Sequence, residues 1–278
     1  MRNQFEREIE QETDVELAFR RAEEALALDV IKEKDFIDLY GEDNVERDLA
    51  EIQKIEASPE YREPSKMATV LEAIIHEQAE LSDWLGPDAR TMKTSRYDDV
   101  KNGVDEIVEF TGEPGKTSRL ALGIDVTFNP VLDKKLERIV SKIERGELAQ
   151  VKYFKSSSLR GEVQQIPEVV VGADQRTVEQ LIPVWLARDQ GKLAQHPMQI
   201  IMLEEIRLQL EAFAAYARAV GQPAIAETYE TDLAIANELL TQKEDLRKRN
   251  PLQALKNDQV FFGICLYLER LRKKLKKK

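Results

Sequence analysis

Near residue 104 the spacing of apolar side chains changes, and that change limits the fold more than any other feature of the chain. Before it, Met67, Val70, Leu71, Ile74, Ile75 and Leu81 recur at helical intervals. Ser65 can cap that helix and Gly86-Pro87 stops it. After the change the period is two. Residues 104–110 and 119–128 read as strands, and the turn-rich stretch 112–116 between them suits a hairpin. Residues 131–145 return to a helical stripe of Leu132, Leu136, Ile139, Val140 and Ile143. Residues 149–155 form a third expected strand and 156–162 a polar loop. Residues 167–172 form a fourth strand, where Val169, Val170 and Val171 imply burial on both faces. A helix over about 176–188 completes the middle of the chain.

The flanks are helical. Residues 1–63 read as a charged arm with an apolar stripe at Val15, Leu17, Ala18, Ala22, Ala25, Leu26 and Leu28. Gly41 interrupts it, and a second helix follows over 43–57. Beyond Pro197, helices are expected over 200–220, 224–248 and 260–274. The division is therefore an N-terminal arm (1–63), an α/β core (64–195) and a C-terminal helical region (196–278). The fold class is α/β or α+β, with a small mixed sheet flanked by helices.

Composition removes several classes of function. No apolar run approaches the roughly 18 residues needed to span a bilayer, so no membrane partner is expected. The charged opening residues do not read as a secretory signal. The single cysteine, Cys265, allows no intrachain disulfide, which fits a reducing cytoplasm. It lies in an apolar stretch and reads as an inert thiol. One cysteine and two histidines, His76 and His196, give no zinc-finger pattern. His76 falls one turn after Glu72, where a surface pair is expected. Trp84 and Trp185 read as core anchors.

The net charge is −11. Residues 270–278 carry seven cations and no acid, so the rest of the chain bears −18. Such a body binds phosphate backbones poorly. The tail, from Arg270 to Lys278, has two readings. It is a solvated helix end suited to the helix dipole, or a contact for phosphates or an acidic partner.

The strand over 119–128 carries the chemistry. Leu120, Leu122, Ile124, Val126 and Phe128 face one side. Ala121, Gly123, Asp125 and Thr127 face the other, which should be open and close to the backbone. A hairpin turning at Glu113-Pro114 sets Asp105 opposite residues 122–124, beside Asp125. Two carboxylates so placed repel unless a cation lies between them, and Mg²⁺ or Mn²⁺ suits such oxygen donors. Pairing with Lys or Arg is the structural alternative. The leading segment, residues 95–103, adds Arg96, Asp98 and Asp99. Asp98 and Asp99 could add to the metal site and Arg96 could hold a phosphate; the alternative is an Asx-turn cluster with Gly103 at positive φ, which is preferred for Asp98 and left open for Asp99.

The order is a helix with an acid, then Gly103-Val104-Asp105, then Ile124-Asp125-Val126-Thr127, then a helix and another strand. This resembles the PD-(D/E)xK nuclease superfamily over residues 65–188. The resemblance implies a restriction-endonuclease-like core and metal-dependent hydrolysis of DNA or RNA. It makes Asp105 and Asp125 the metal ligands, places the helical acid on Glu72 or Glu80, and makes 149–155 the next strand of the core. The family's lysine two residues after the second acid is absent, and Thr127 stands there. Lys152 is the expected substitute, with Lys155 and Lys135 behind it. The rival reading is a nuclease-like fold that has lost catalysis and acts as an interaction or scaffold protein.

Overall fold

A computed structural model describes residues 13–111, 117–125 and 130–275, with the backbone alone at 124, 125, 130 and 131. The N-terminal helices are α1 (Asp14–Asp29), α2 (Ile37–Tyr40) and α3 (Glu42–Glu56), with a 3-10 turn at Glu33–Phe36 before α2. Then follow α4 (Lys66–Leu81), β1 (Ala89–Lys93), a π-helical turn (Asp98–Asn102), β2 (Glu106–Thr111), β3 (Thr117–Asp125) and α5 (Pro130–Glu144). Next come β4 (Ala149–Lys155), β5 (Arg160–Ile166), β6 (Glu168–Gly172), α6 (Gln175–Leu186) and α7 (Gln190–Leu193). The chain closes with α8 (Met198–Ala219), α9 (Pro223–Gln242), α10 (Glu244–Arg249), α11 (Leu252–Leu255) and α12 (Gln259–Leu275). The molecule is α+β, and no helix among the described residues is long and apolar enough to cross a membrane.

The caps follow the sequence. Ser65 Oγ accepts from the Ala68 amide and starts α4, and Thr13 does the same for α1 with Glu16. Gly41 precedes α3 at φ 82, a conformation that favours glycine.

The main sheet has the order β1-β2-β3-β6, with β1, β2 and β3 antiparallel in turn and β6 parallel to β3. The hairpin register sets Glu106 opposite Leu122, and the Asp105 amide donates to the Leu122 carbonyl at 2.9 Å. Val108, Phe110, Leu120 and Leu122 pack into the main core with α4, α5, α6 and α8. Ile107 and Ala121, on the opposite face, pack against Val151 and Phe154. That face was expected to be open, but the β4–β5 hairpin covers it. All three stretches separated in the sequence contribute to the main core: Ala18, Ala22 and Leu26 from α1, Trp84 and Trp185 from the middle, and Phe213 and Phe261 from the C-terminal helices.

Four expectations are corrected. Residues 89–93, given no element, form β1. Residues 156–162, expected as a loop, lead into β5, which pairs with β4 in a separate two-stranded sheet. The strand beside β3 is therefore β6, not 149–155. The helix expected over 224–248 is divided at Lys243 into α9 and α10.

The free edge of β6 is closed by side chains. The Gln209 amide of α8 accepts from Val170 N at 2.9 Å and donates to Val170 O at 2.6 Å, as a neighbouring strand would. One turn earlier, Glu205 Oε2 accepts from Gly172 N at 2.9 Å. Glu205 is fully buried, and its other oxygen has no partner. Burial holds its carboxyl well above the ordinary range, against the pull of the Gly172 amide.

Gln209→Leu should orphan two buried backbone groups and cost about 2–4 kcal/mol in urea unfolding. Glu205 has a raised folded-state pKa, so the stability it lends is full below the ordinary carboxyl range and is lost as pH rises. Glu205→Gln should therefore gain on the parent protein between pH 5 and pH 8; a difference that is constant with pH would refute this.

Candidate functional site

Side chains from four segments meet beside the start of β2. Glu72 comes from the middle of α4, Lys93 ends β1, Asp99 lies in the π-helical turn and Asp105 directly precedes β2. The Lys93 ammonium is 2.5 Å from Glu72 Oε1 and 3.9 Å from Asp99 Oδ2. It donates to the Asp105 carbonyl at 3.1 Å. Asp105 lies beside Asp99, and its like charge adds to the burial that raises the Asp99 carboxyl. Arg96 reaches Asp99 from outside, 3.3 Å from Oδ2.

Local geometry holds each group in place. The Asp105 carbonyl also accepts from the Thr94 hydroxyl at 3.1 Å. The π-helical turn closes on Gly103 at φ 67, where a Cβ would stand 2.0 Å from the Arg138 guanidinium. Only glycine meets both conditions. Asp98 is a structural clip. Its Oδ1 accepts from Lys152 N at 2.8 Å and Asn102 Nδ2 at 2.7 Å. Its Oδ2 accepts from Tyr153 N at 3.0 Å and Ser95 Oγ at 2.8 Å. The loop over 95–103 is thereby fastened to the backbone of β4.

Burial is the leading electrostatic force here. It raises Glu72, with Lys93 opposing and Asp105 and Glu106 adding. It also raises Asp99, with Asp105 adding and Lys93 and Arg96 opposing. Burial pulls the Lys93 pKa down, but Glu72, Asp99 and Asp105 more than reverse that effect and keep it an ammonium. The cluster thus holds one fixed cation, with the carboxyls of Glu72 and Asp99 raised above the ordinary range.

His76 departs from expectation. It is buried, not on the surface, with Nδ1 3.1 Å from Glu106 Oε1 and Nε2 3.1 Å from Asp29 Oδ2. Glu106 is wholly buried and has no other partner for its oxygens. Beyond His76 opens a groove of about 790 Å³ lined by Asp29, Ile31, Glu80, Thr91 and Met92. None of Glu72, Lys93, Asp99 and Asp105 lines it.

The structure therefore brings together Glu72, Asp99 and Asp105 from the sequence candidates, and adds Lys93. The alternative helical acid, Glu80, turns instead to the Thr91 amide, at 3.2 Å. The carboxylate of Asp125 and the whole of Thr127 lie outside the described residues; the Asp125 backbone pairs with Gly172 at the end of β3. Lys152, the expected substitute lysine, corrects the reading. Its ammonium is 2.5 Å from Asp48 Oδ2 and within 5.3–5.5 Å of the rings of Tyr40, Tyr97 and Tyr153. The cation at Glu72 is Lys93. Its strand, Ala-Arg-Thr-Met-Lys, is five residues long and mostly polar, so no periodicity reveals it. Of the tail, Arg270 pairs with Asp133 at 2.8 Å and Arg272 with Glu211 at 3.4 Å. Lys276, Lys277 and Lys278 lie outside the described residues.

As a metal site the cluster is a partial fit. Asp99 and Asp105 are hard oxygen donors of the kind Mg²⁺ and Mn²⁺ take. Among the described residues, however, no three His, Cys, Asp or Glu side chains are grouped to hold an ion. Lys93 stands between Glu72 and the aspartates. No family model matches this chain, and comparison with curated proteins and with solved structures finds no match.

The His76 pair gives a test of the electrostatics. Burial would lower its pKa, but Glu106 and then Asp29 raise it to about 9. Its stabilisation is then full below about 6.5 and lost as pH rises through about 9. His76→Gln should cost roughly 2–3 kcal/mol at pH 6, and its unfolding free energy should change less than the parent's between pH 7 and 9.

Proposed function

We propose that this protein is a metal-dependent phosphodiester hydrolase acting on DNA or RNA. The observation that carries the reading is the convergence of Glu72, Asp99 and Asp105 on a lysine that the sequence motif lacked. The succession of α4, the β2–β3 hairpin, α5 and the parallel strand β6 supports it as well, with β1, β4 and β5 added to that order. Asp99 and Asp105 are the oxygen donors, joined by Asp125 if its carboxylate follows the strand's alternation. Glu72 holds the Lys93 ammonium, and Lys93 takes the part of the missing motif lysine. Bound Mg²⁺ or Mn²⁺ would supply Lewis-acid charge and a more acidic water. Lys93 is placed to orient that water or to meet charge on a phosphate oxygen. Asp99, raised to about 6 by burial and by Asp105, would serve as a proton acceptor below neutral pH.

One observation favours a second reading, an inactive nuclease-like core that acts as an interaction protein. Lys93 already pairs with Glu72 at 2.5 Å, and none of the four residues lines the groove beyond His76.

Calorimetry with Mn²⁺ and cleavage assays on single-stranded, duplex and branched substrates separate the two. The hydrolase reading expects Mn²⁺ binding that Asp105→Ala abolishes. It expects Lys93→Met to keep metal affinity while cleavage falls by about 10²-fold or more. A parent protein with neither binding nor cleavage leaves the interaction reading.

A further inference from the structure

Three basic residues lie around the candidate site, and one acidic helix covers all of them. Arg96, which touches Asp99, gives its guanidinium to Glu56 at 2.6 Å and to the Tyr61 hydroxyl at 2.6 Å. Lys101, in the same π-helical turn as Asp99, pairs with Glu51. Lys152, whose amide is clipped by Asp98, pairs with Asp48. Asp48, Glu51 and Glu56 all belong to α3 and span about 12 Å along it. In a chain of net charge −11, these cations are gathered in one place beside the acids and are met there by a line of carboxylates.

We infer that the face under α3 is a binding surface for single-stranded nucleic acid, and that α3 occupies it as an internal mimic of the phosphate chain. The inference rests on the hydrolase reading for its choice of ligand. Two further observations support it. Aromatic rings lie among the cations: Tyr40, Tyr97 and Tyr153 surround the Lys152 ammonium, and Tyr61 adjoins Arg96. Cations interleaved with aromatic rings suit a single strand, whose phosphates pair while its bases stack. In addition, α3 is lightly held. Only Val45 and Ile52 are buried on it. Val45 and the partly buried Leu49 pack in a small cluster around Phe36 and Tyr153, apart from the main core. The pairs of Glu51 and Glu56 are 32–43% exposed, and such pairs are weak and screened by salt. A phosphate chain replaces these carboxylates by like charge, so displacement exchanges one set of ion pairs for another.

The test uses the full chain and the variant E51Q/E56Q, which leaves Asp48 and the aromatic cluster intact. Binding of a fluorescent single-stranded oligonucleotide is measured in EDTA across a range of salt. The variant should bind at least about fivefold tighter at low salt, with a salt slope steeper by roughly 0.7 for each freed cation. Adding Lys101→Glu to the variant should remove the gain. In the parent protein, oligonucleotide should reduce hydrogen-exchange protection of α3 amides. Equal binding by parent and variant, or unchanged α3 protection, overturns the inference. A gain confined to duplex overturns the stacking assignment. Because the readout is binding in EDTA, it is separate from catalysis. A gain with no cleavage in any metal refutes the hydrolase and leaves the surface standing, and cleavage without the gain does the reverse.

Discussion

The pairing of β2 with β3 sets Glu106 opposite Leu122, and β1 brings Lys93 opposite Glu106. Side chains alternate across a sheet, so this register decides which residues face α4 and which face the β4–β5 hairpin. A slip of one residue would turn Leu120 and Leu122 away from the main core and bring Ala121 and Gly123 into it. It would also part Glu106 from His76. The register therefore ties the site to the core: the displacement that ruins one ruins the other.

Within that frame, the cost of taking carboxylates out of water shapes much of the interior. Glu72 has Lys93, Glu106 has His76, and Glu168 has Arg138 and Lys142 at 2.6 and 2.7 Å. Glu204 has Arg207 and Arg247 at 2.8 and 2.7 Å. Glu205 has no cation and is held toward the protonated form. Many of the chain's cations are thus committed to its own acids, which is why an acidic body still carries ordered basic positions. Around Asp99, Arg96 and Lys101 are committed to α3, on which two apolar side chains are buried.

Much of the local structure was legible in the sequence because it depends on near neighbours. Ser65 caps α4, Gly103 takes a positive φ, and the stripe from Leu132 to Ile143 is buried. The hairpin register was also readable, since the turn at 112–116 and the alternation around Leu120 and Leu122 agree. Two strands were not. β1 is a short polar edge that exists because β2 pairs with it. β5 carries Arg160, Glu162, Gln164 and Gln165, and the exposure of most of these hides its buried Gly161, Val163 and Ile166.

For the same reason the acids of the site could be named and its lysine could not. Glu72, Asp99 and Asp105 stand in segments whose form their own residues largely determine. Which lysine meets them depends on strand order. Pairing of β1 with β2 puts Lys93 beside Glu72, whereas β4 leaves the main sheet for its own hairpin and carries Lys152 to Asp48. Sequence alone determined the amphipathic helices, the β2–β3 hairpin, the coarse fold class and the acidic character of the chain, because periodicity, capping and composition are local. Tertiary structure decided which charges meet, because that depends on contacts between residues far apart in the chain.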